Sequence, residues 1–295
     1  MIAVFGSLNM DFVVRVERLP APGETVLGSE FVTLPGGKGA NQAYAAARLG
    51  AQVRMIGAVG KDVFGAQLKQ NLASVGVDIS LVAEHDSEPT GVALISVDAQ
   101  GQNCIVVASG ANGAVPVPDD SAFHNIRVAL FQLETPLASV EGALAAARAQ
   151  GAITILDPAP AQPLSPGLLK LVDILTPNET EAAQLTGMDQ SADPEQIARR
   201  LGVATVVLKL GANGCFVYRE GAGRHYPGFS VEAVDTTAAG DTFNGALGFA
   251  LADGQPFDQA IRFANAAAAI SVTRTGAQSS APSHEEVDSF LRTKI

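Results

Sequence analysis

Strand-length apolar runs alternate with Ala/Leu-rich stretches of helical spacing along most of this chain, and that alternation leaves few folds open. The runs are 2–5, 53–59, 128–133, 153–156, 174–176, 205–210 and 215–218. Helix-spaced stretches lie between most of them, at 41–49, 66–75, 137–149 and 194–201. Continuous apolar strands joined by helices predict a doubly wound, mostly parallel sheet with helices on both faces, an α/β fold. The last third reads as helical at 241–252, 257–273 and 284–291. A chain of 295 residues buries roughly 75% of its unfolded surface. It needs no crosslink to fold, and its length suits one α/β domain over 1–295 with an appendage.

Two segments break the alternation. Residues 11–34 place Leu-Pro-Ala-Pro-Gly-Glu between β-branched runs, and 91–108 read as a hairpin turning at Asp98-Ala-Gln-Gly-Gln-Asn. Together they suggest a small projecting sheet; extra edge strands of the main sheet are the other reading. No apolar run is long enough to span a membrane, and Met1-Ile-Ala-Val-Phe-Gly-Ser lacks the flanks of a signal peptide, so a cytoplasmic protein is expected. The net charge of −11, without any Lys/Arg cluster, argues against nucleic acid as a partner. Cys104 and Cys215 stand in apolar runs without CxxC spacing and read as reduced packing residues. The four histidines form no zinc pattern.

Asp235-Thr-Thr-Ala-Ala-Gly-Asp-Thr-Phe-Asn-Gly245 is the most informative stretch. Ala238, Ala239 and Gly240 lead into a helix whose unpaired N–H groups and dipole favour an anion, such as a phosphoryl group in transfer. Asp241 in the first turn suits a base for a hydroxyl nucleophile; it equally suits a plain helix-start Asp. A second loop, Pro35-Gly-Gly-Lys-Gly-Ala-Asn-Gln42, opens an Ala-rich helix. Its glycines permit close backbone approach, with Lys38 and Asn41 as polar contacts. It matches neither a Walker A loop nor GxGxxG, which counts against P-loop NTPases and NAD oxidoreductases. In Pro177-Asn-Glu-Thr-Glu181, Asn178 and Glu181 form either a capping box, slightly favoured by spacing, or a Mg²⁺ site. Lys209-Leu-Gly-Ala-Asn-Gly214 reads as a strand end and hairpin turn.

In this order the pieces resemble the ribokinase family of sugar kinases, the PfkB-type carbohydrate kinases. The likeness covers nearly the whole chain and rests on both motifs, Gly36–Asn41 and Asp235–Asp241, about 200 residues apart. It implies an α/β body with a β lid, here from about 11–34 and 91–108, that often forms a homodimer. It also implies ATP as phosphoryl donor, with Asp241 as base and Ala238, Ala239 and Gly240 as the anion hole. Among family members the nearest likeness is to those that phosphorylate the primary hydroxyl of D-ribose. Asn9 and Asp11 (in Gly6-Ser-Leu-Asn-Met-Asp11), Gly37, Lys38, Asn41 and Glu134 (in Phe131-Gln-Leu-Glu-Thr-Pro136) match the sugar contacts.

The same likeness puts Asn178, Lys209, Gly211, Gly214, Gly240 and Asn265 beside the nucleotide, with Glu181 toward Mg²⁺. It puts Asp235, Thr237, Ser271, Arg274 (by its backbone oxygen), Gly276 and Ser280 around K⁺. Lys209 stands where ribose kinases often have Thr and several other family kinases have Lys, which leaves fructose or ketodeoxygluconate open as substrates. Val13, Phe31 and Val92 leave a nucleoside open as well. A rival from another class is a catalytically silent sugar-binding protein on the same scaffold; the intact Asp241 argues against it.

Overall fold

A computed structural model of the chain describes residues 1–294. From the N-terminus run β1 (Ile2–Phe5), β2 (Asn9–Val16), β3 (Gly28–Gly36), α1 (Lys38–Arg48), β4 (Val53–Gly60), α2 (Val63–Ser74) and β5 (Asp78–His85). The hairpin of β6 (Gly91–Val97) and β7 (Asn103–Ala108) precedes β8 (Val128–Phe131), α3 (Leu137–Ala149) and β9 (Ile153–Leu156). Next come α4 (Pro166–Leu169), β10 (Ile174–Leu175), α5 (Glu179–Thr186), α6 (Pro194–Leu201) and β11 (Thr205–Lys209). The chain closes with β12 (Cys215–Arg219), β13 (Ala222–Tyr226), α7 (Ala239–Asp253), α8 (Phe257–Ser271) and α9 (His284–Thr293).

The large sheet has the order β13-β12-β11-β10-β9-β8-β1-β4-β5, parallel from β11 to β5, with β12 and β13 added antiparallel. Alternation along each strand feeds two cores. Ile2 and Val4 of β1 pack with α1, α2, α7 and α8, whereas Ala3 and Phe5 face α3, α4 and α6. A fully buried leucine such as Leu72 or Leu144 contributes about 2 kcal/mol by leaving water. Edge strands β5 and β13 carry no continuous apolar run and were absent from the sequence reading. Of β5 only Val82 is buried, because an edge strand with one covered face needs few apolar positions.

The two irregular segments pair with each other in a separate four-stranded sheet, β3-β2-β6-β7, and extend no edge of the main one. It rests on α2 through an edge-to-face contact of Phe12 and Phe64, with ring centroids 5.3 Å apart. Cys104 lies exposed on edge strand β7, so its expected packing role is wrong; Cys215 is buried as expected. An apolar run on a two-sided edge strand need not be covered within one chain.

Two backbone approaches set the site. Gly37 joins β3 to α1 at φ 89°, where a Cβ would lie 2.6 Å from the Asn9 nitrogen, so only glycine fits. At Gly245 of α7 a Cβ would stand 2.7 Å from the Gln42 carbonyl oxygen and 2.9 Å from the Ala45 Cβ. Helices α1 and α7 therefore cross nearly backbone to backbone, which brings residues 41 and 42 to the first turn of α7.

Candidate active site

Asp241 is 6% exposed, and its carboxylate is gripped from α1. Asn41 Nδ2 donates to Oδ2 at 3.0 Å, and Gln42 Nε2 to Oδ1 at 3.1 Å. The side chain makes no helix-capping bond, since α7 begins at Ala239, two residues earlier than the sequence suggested. Ala238 caps the helix in the left-handed region at φ 56°. The Ala239 N–H turns back to the Thr236 carbonyl at 3.3 Å, whereas among the described residues the N–H groups of Ala238, Gly240 and Asp241 have no protein partner. The free amides at this turn thus include Asp241 itself, and Ala239 is the one engaged.

Around Asp241 the ends of four elements meet. Asn9, 2% exposed, accepts from Asn112 Nδ2 at 2.8 Å, which leaves its own amide protons free. Glu134, following β8, accepts from the Ser7 hydroxyl and from the Lys38 backbone N–H at 3.1 Å. Asn41 is held on both sides, its Oδ1 accepting from Gln278 Nε2 at 3.1 Å. Asp11 and Lys38 complete the set, with Gly37 fixing the turn.

Crowded carboxylates raise one another. Burial, with Glu134 and Asp241 adding repulsion, pushes Asp11 up to about 7. Burial lifts Asp241 to about 6; Lys38 opposes the rise and Asp157 adds to it. For Lys38, burial favours the neutral amine, but Asp241, Asp157, Glu134 and Glu181 outweigh it and keep the ammonium charged.

On the other side of Gly240 opens a cavity of about 440 Å³, a volume typical of small-molecule sites. Lys209, Gly211, Gly214, Thr236, Gly240 and Asn265 line it, and Phe229, Phe243 and Val272 give it an apolar wall. The Lys209 segment is the predicted hairpin turn between β11 and β12 and a wall of this cavity as well. The Asn265 amide donates to the Tyr226 carbonyl at 3.5 Å. Beside it, burial pushes the Cys215 thiol up to about 12 against a bond from Asn265, so the thiol is inert.

The remaining predicted residues fall into two places. Asn178 and Glu181 form a complete capping box on α5, each side chain accepting from the other's N–H at 2.8 Å. Burial and the Asp157 charge raise Glu181, so it still faces the site while capping; exposed Asn178 serves to hold it there. Asp235 ties two segments together, accepting from the Thr237 N–H at 2.9 Å and the Gly276 N–H at 2.8 Å. Ser271 and Ser280 are buried with their hydroxyls on the carbonyls of Ala268 and Ala277. The Arg274 guanidinium turns away to Glu286.

Sequence reasoning missed Gln42, Asn112, Gln132, Asp157 and Gln278. Asp157 carried a readable signal, since an acidic residue just past the carboxyl end of an apolar parallel strand stands where α/β sites form. The three glutamines and Asn112 touch their partners across 90 to 237 residues, and no local pattern marks them.

Residues 1–284 match the family model described as pfkB family carbohydrate kinase. The chain is 47% identical to a ribokinase of Haemophilus influenzae over 98% of both chains, and 42% identical to one of Bacillus subtilis over 98% of this chain and 99% of that. A solved ribokinase of Thermotoga maritima superposes with a TM-score of 0.90 at 39% identity, covering 99% of each chain. An Arabidopsis thaliana ribokinase complexed with ribose and ATP gives 0.91 at 35%, covering 99% of this chain and 98% of that. The chain belongs to the pfkB family of carbohydrate kinases. It is an enzyme with the ribokinase-like fold.

Raised carboxylates make stability fall as pH rises between the unfolded and folded pKa values, because the native state there holds protons more tightly. Asp11, lifted from 3.8 to about 7, contributes such a loss between about pH 4 and 7. Asp11→Asn removes it. The variant is expected to exceed wild type by on the order of 2 kcal/mol at pH 8, with the gap closing toward pH 4. Urea titrations at both pH values check this; an equal difference at the two would remove Asp11 from the strained set.

Proposed function

We propose that this chain transfers the γ-phosphoryl group of ATP to the primary hydroxyl of D-ribose, giving D-ribose 5-phosphate and ADP. One adjacency carries the reading. Asp241 closes a buried set of hydroxyl-binding groups, and Gly240, one residue before it, lines the nucleotide-sized cavity. The relatives named ribokinase, and the one solved with ribose and ATP, support the choice of substrates.

The sugar would lie among Asn9, Asp11, Gly37, Lys38, Asn41 and Glu134, where carboxylates, an ammonium and free amide protons serve both faces of each hydroxyl. Asp241 takes the proton from the attacking hydroxyl, and its raised affinity for protons suits that role near neutral pH. The free amides of Ala238, Gly240 and Asp241 receive the charge on the phosphoryl oxygens, and Lys209 adds an ammonium from the cavity wall. The apolar wall near Asn265 suits the base of ATP, with Gly211 and Gly214 allowing close approach.

Glu181 fits Mg²⁺, since its repulsion with Asp157 is what a divalent cation relieves. Among the described residues no three His, Cys, Asp or Glu side chains converge on a metal position, so phosphate or water oxygens would complete the shell. When bound, Mg²⁺ draws charge from the phosphates. Asp235, Thr237, Ser271, Arg274, Gly276 and Ser280 fit K⁺, with one formal charge and otherwise carbonyl oxygens. The Asp235–Gly276 bond already fastens the tail loop to the anion turn, and K⁺ would stiffen that joint. The small sheet acts as a lid, and a second copy of the chain covers its apolar surface. Phe31, Leu94 and Val106 share one face of it and stand 55–61% exposed, more than a solitary edge tolerates. Among the described residues no helix is long and apolar enough to cross a membrane, and we place the enzyme in the cytoplasm.

Coupled ADP-release assays over ribose, 2-deoxyribose, fructose, ketodeoxygluconate and adenosine test the substrate. Ribose is expected to give the highest kcat/KM, deoxyribose to lose roughly tenfold or more for its missing partner, and K⁺ to raise kcat over Na⁺. A tenfold preference for fructose or adenosine would overturn the ribose assignment, and equal rates in both salts the cation site. Asp241→Asn is expected to lower kcat by roughly 10²–10⁴ with ribose affinity kept. Wild-type kcat should fall as pH drops through about 6, the pKa of Asp241. Turnover surviving in the variant, or a flat profile to pH 5, would dismiss Asp241 as base. Sedimentation at micromolar concentration should report twice the chain mass, and Leu94→Asp with Val106→Asp should return it to one; a monomeric wild type refutes the lid interface.

A further inference from the structure

Asp157 is 3% exposed, and its charge, which adds to the rise of Asp241, also has a partner of its own. It follows β9, with its N–H on the Phe131 carbonyl and its own carbonyl taking the Ala159 N–H, so its backbone is pinned on both sides. Its two carboxylate oxygens are divided between partners. Oδ1 accepts from Lys209 Nζ at 2.9 Å, across the intervening strand β10. Oδ2 accepts from Gln42 Nε2 at 3.3 Å. Gln42 cannot turn away, because Gln132 donates to its Oε1 at 2.7 Å and its Nε2 also serves Asp241.

This arrangement determines where the Lys209 ammonium stands. The side chain is 13% exposed, enough to touch the cavity, and Nζ lies 3.3 Å from where a Cβ on Gly240 would be. Lysine has a flexible stem and a compact charge. Without Asp157 it would follow whichever phosphate oxygen is nearest. With Asp157 it is kept beside Gly240. A buried ion pair stabilises a fold poorly compared with apolar packing, so stability alone does not account for it.

We propose that Asp157 is a positioning residue for phosphoryl transfer, holding the Lys209 ammonium beside Gly240 so that its charge is placed for the transferring group. The idea rests on the reading of the cavity as the nucleotide site and of Asp241 as base. It predicts a split between binding and rate. Removing the Asp157 charge leaves the surroundings of the phosphates more positive, so nucleotide affinity holds or rises. The rate falls, because a lysine free to track the ground state no longer favours the transition state.

The test compares wild type, Asp157→Asn, Lys209→Met and the double variant, with steady-state kinetics and calorimetric Kd values for ADP and D-ribose. For Asp157→Asn, kcat is expected to fall about 10²-fold, with ADP bound as tightly as by wild type or tighter and ribose within about twofold. Lys209→Met should lose both kcat and ADP affinity. The double variant should match Lys209→Met in kcat within about threefold, since Asp157 acts through Lys209. Three results overturn the proposal: unchanged kcat in Asp157→Asn, weaker ADP binding in that variant with or without weaker ribose binding, or a double variant more than about tenfold slower than Lys209→Met. If Asp157→Asn does not fold, the comparison of Lys209→Met with the double variant decides by the same limits. Were the wild type to phosphorylate none of the sugars, the proposed function would fall on its own; a weaker ADP Kd in Asp157→Asn would still refute the Lys209 placement, and a Kd kept while Lys209→Met loses it would uphold it.

Discussion

Five carboxylates, Asp11, Glu134, Asp157, Glu181 and Asp241, act on one another in a single desolvated region, with Lys38 and Lys209 as the cations that oppose them among the described residues. Leaving water costs several kcal/mol per ion unless partners replace the lost hydration. The protein replaces it with amides: Asn41 and Gln42 donate to Asp241, Gln42 to Asp157 as well, and Asn178 to Glu181. Most features of the site are conditions for keeping this excess negative charge in place. A protonatable Asp241 and a cation-seeking Glu181 are its direct consequences.

The amides can reach only because the backbone lets them. Gly245 admits α1 to the first turn of α7, and Gly37 admits the start of α1 to the Asn9 nitrogen. A side chain at either position would separate the donors from Asp241 before it affected anything else. The parallel strands then supply the other half. Glu134, Asp157 and Lys209 each stand at or just past a carboxyl end, on β8, β9 and β11, where an α/β sheet collects its chemistry.

Division of labour follows from one short turn. Residues 238–241 stand between the polar groups gathered around Asp241 and a cavity with an apolar wall, which Gly240 lines. The turn is also where the tail loop attaches, through Asp235 and the Gly276 N–H. Gln278 of that loop reaches Asn41, which itself holds Asp241. Loop, turn and Asp241 are thus joined in one hydrogen-bonded set.

The local sequence determined a good deal of this protein by itself. The apolar runs of β1, β9 and β11 are continuous because both faces of a parallel sheet are covered, so the α/β class was legible. The turn before α7, the Gly-rich loop and the Asn178–Glu181 cap were legible because each is built from neighbours along the chain. Tertiary structure alone decided the rest. Edge strands β5 and β13 have too little buried surface to leave a pattern. Whether Asp241 caps a helix or faces a site depended on where Asn41 and Gln42 arrive, 200 residues away in the chain. The pairing of Asp157 with Lys209 spans a strand neither belongs to. A hydrogen bond between distant segments imposes no periodicity on either, so the chain folds by a pattern that can be read and works by contacts that cannot.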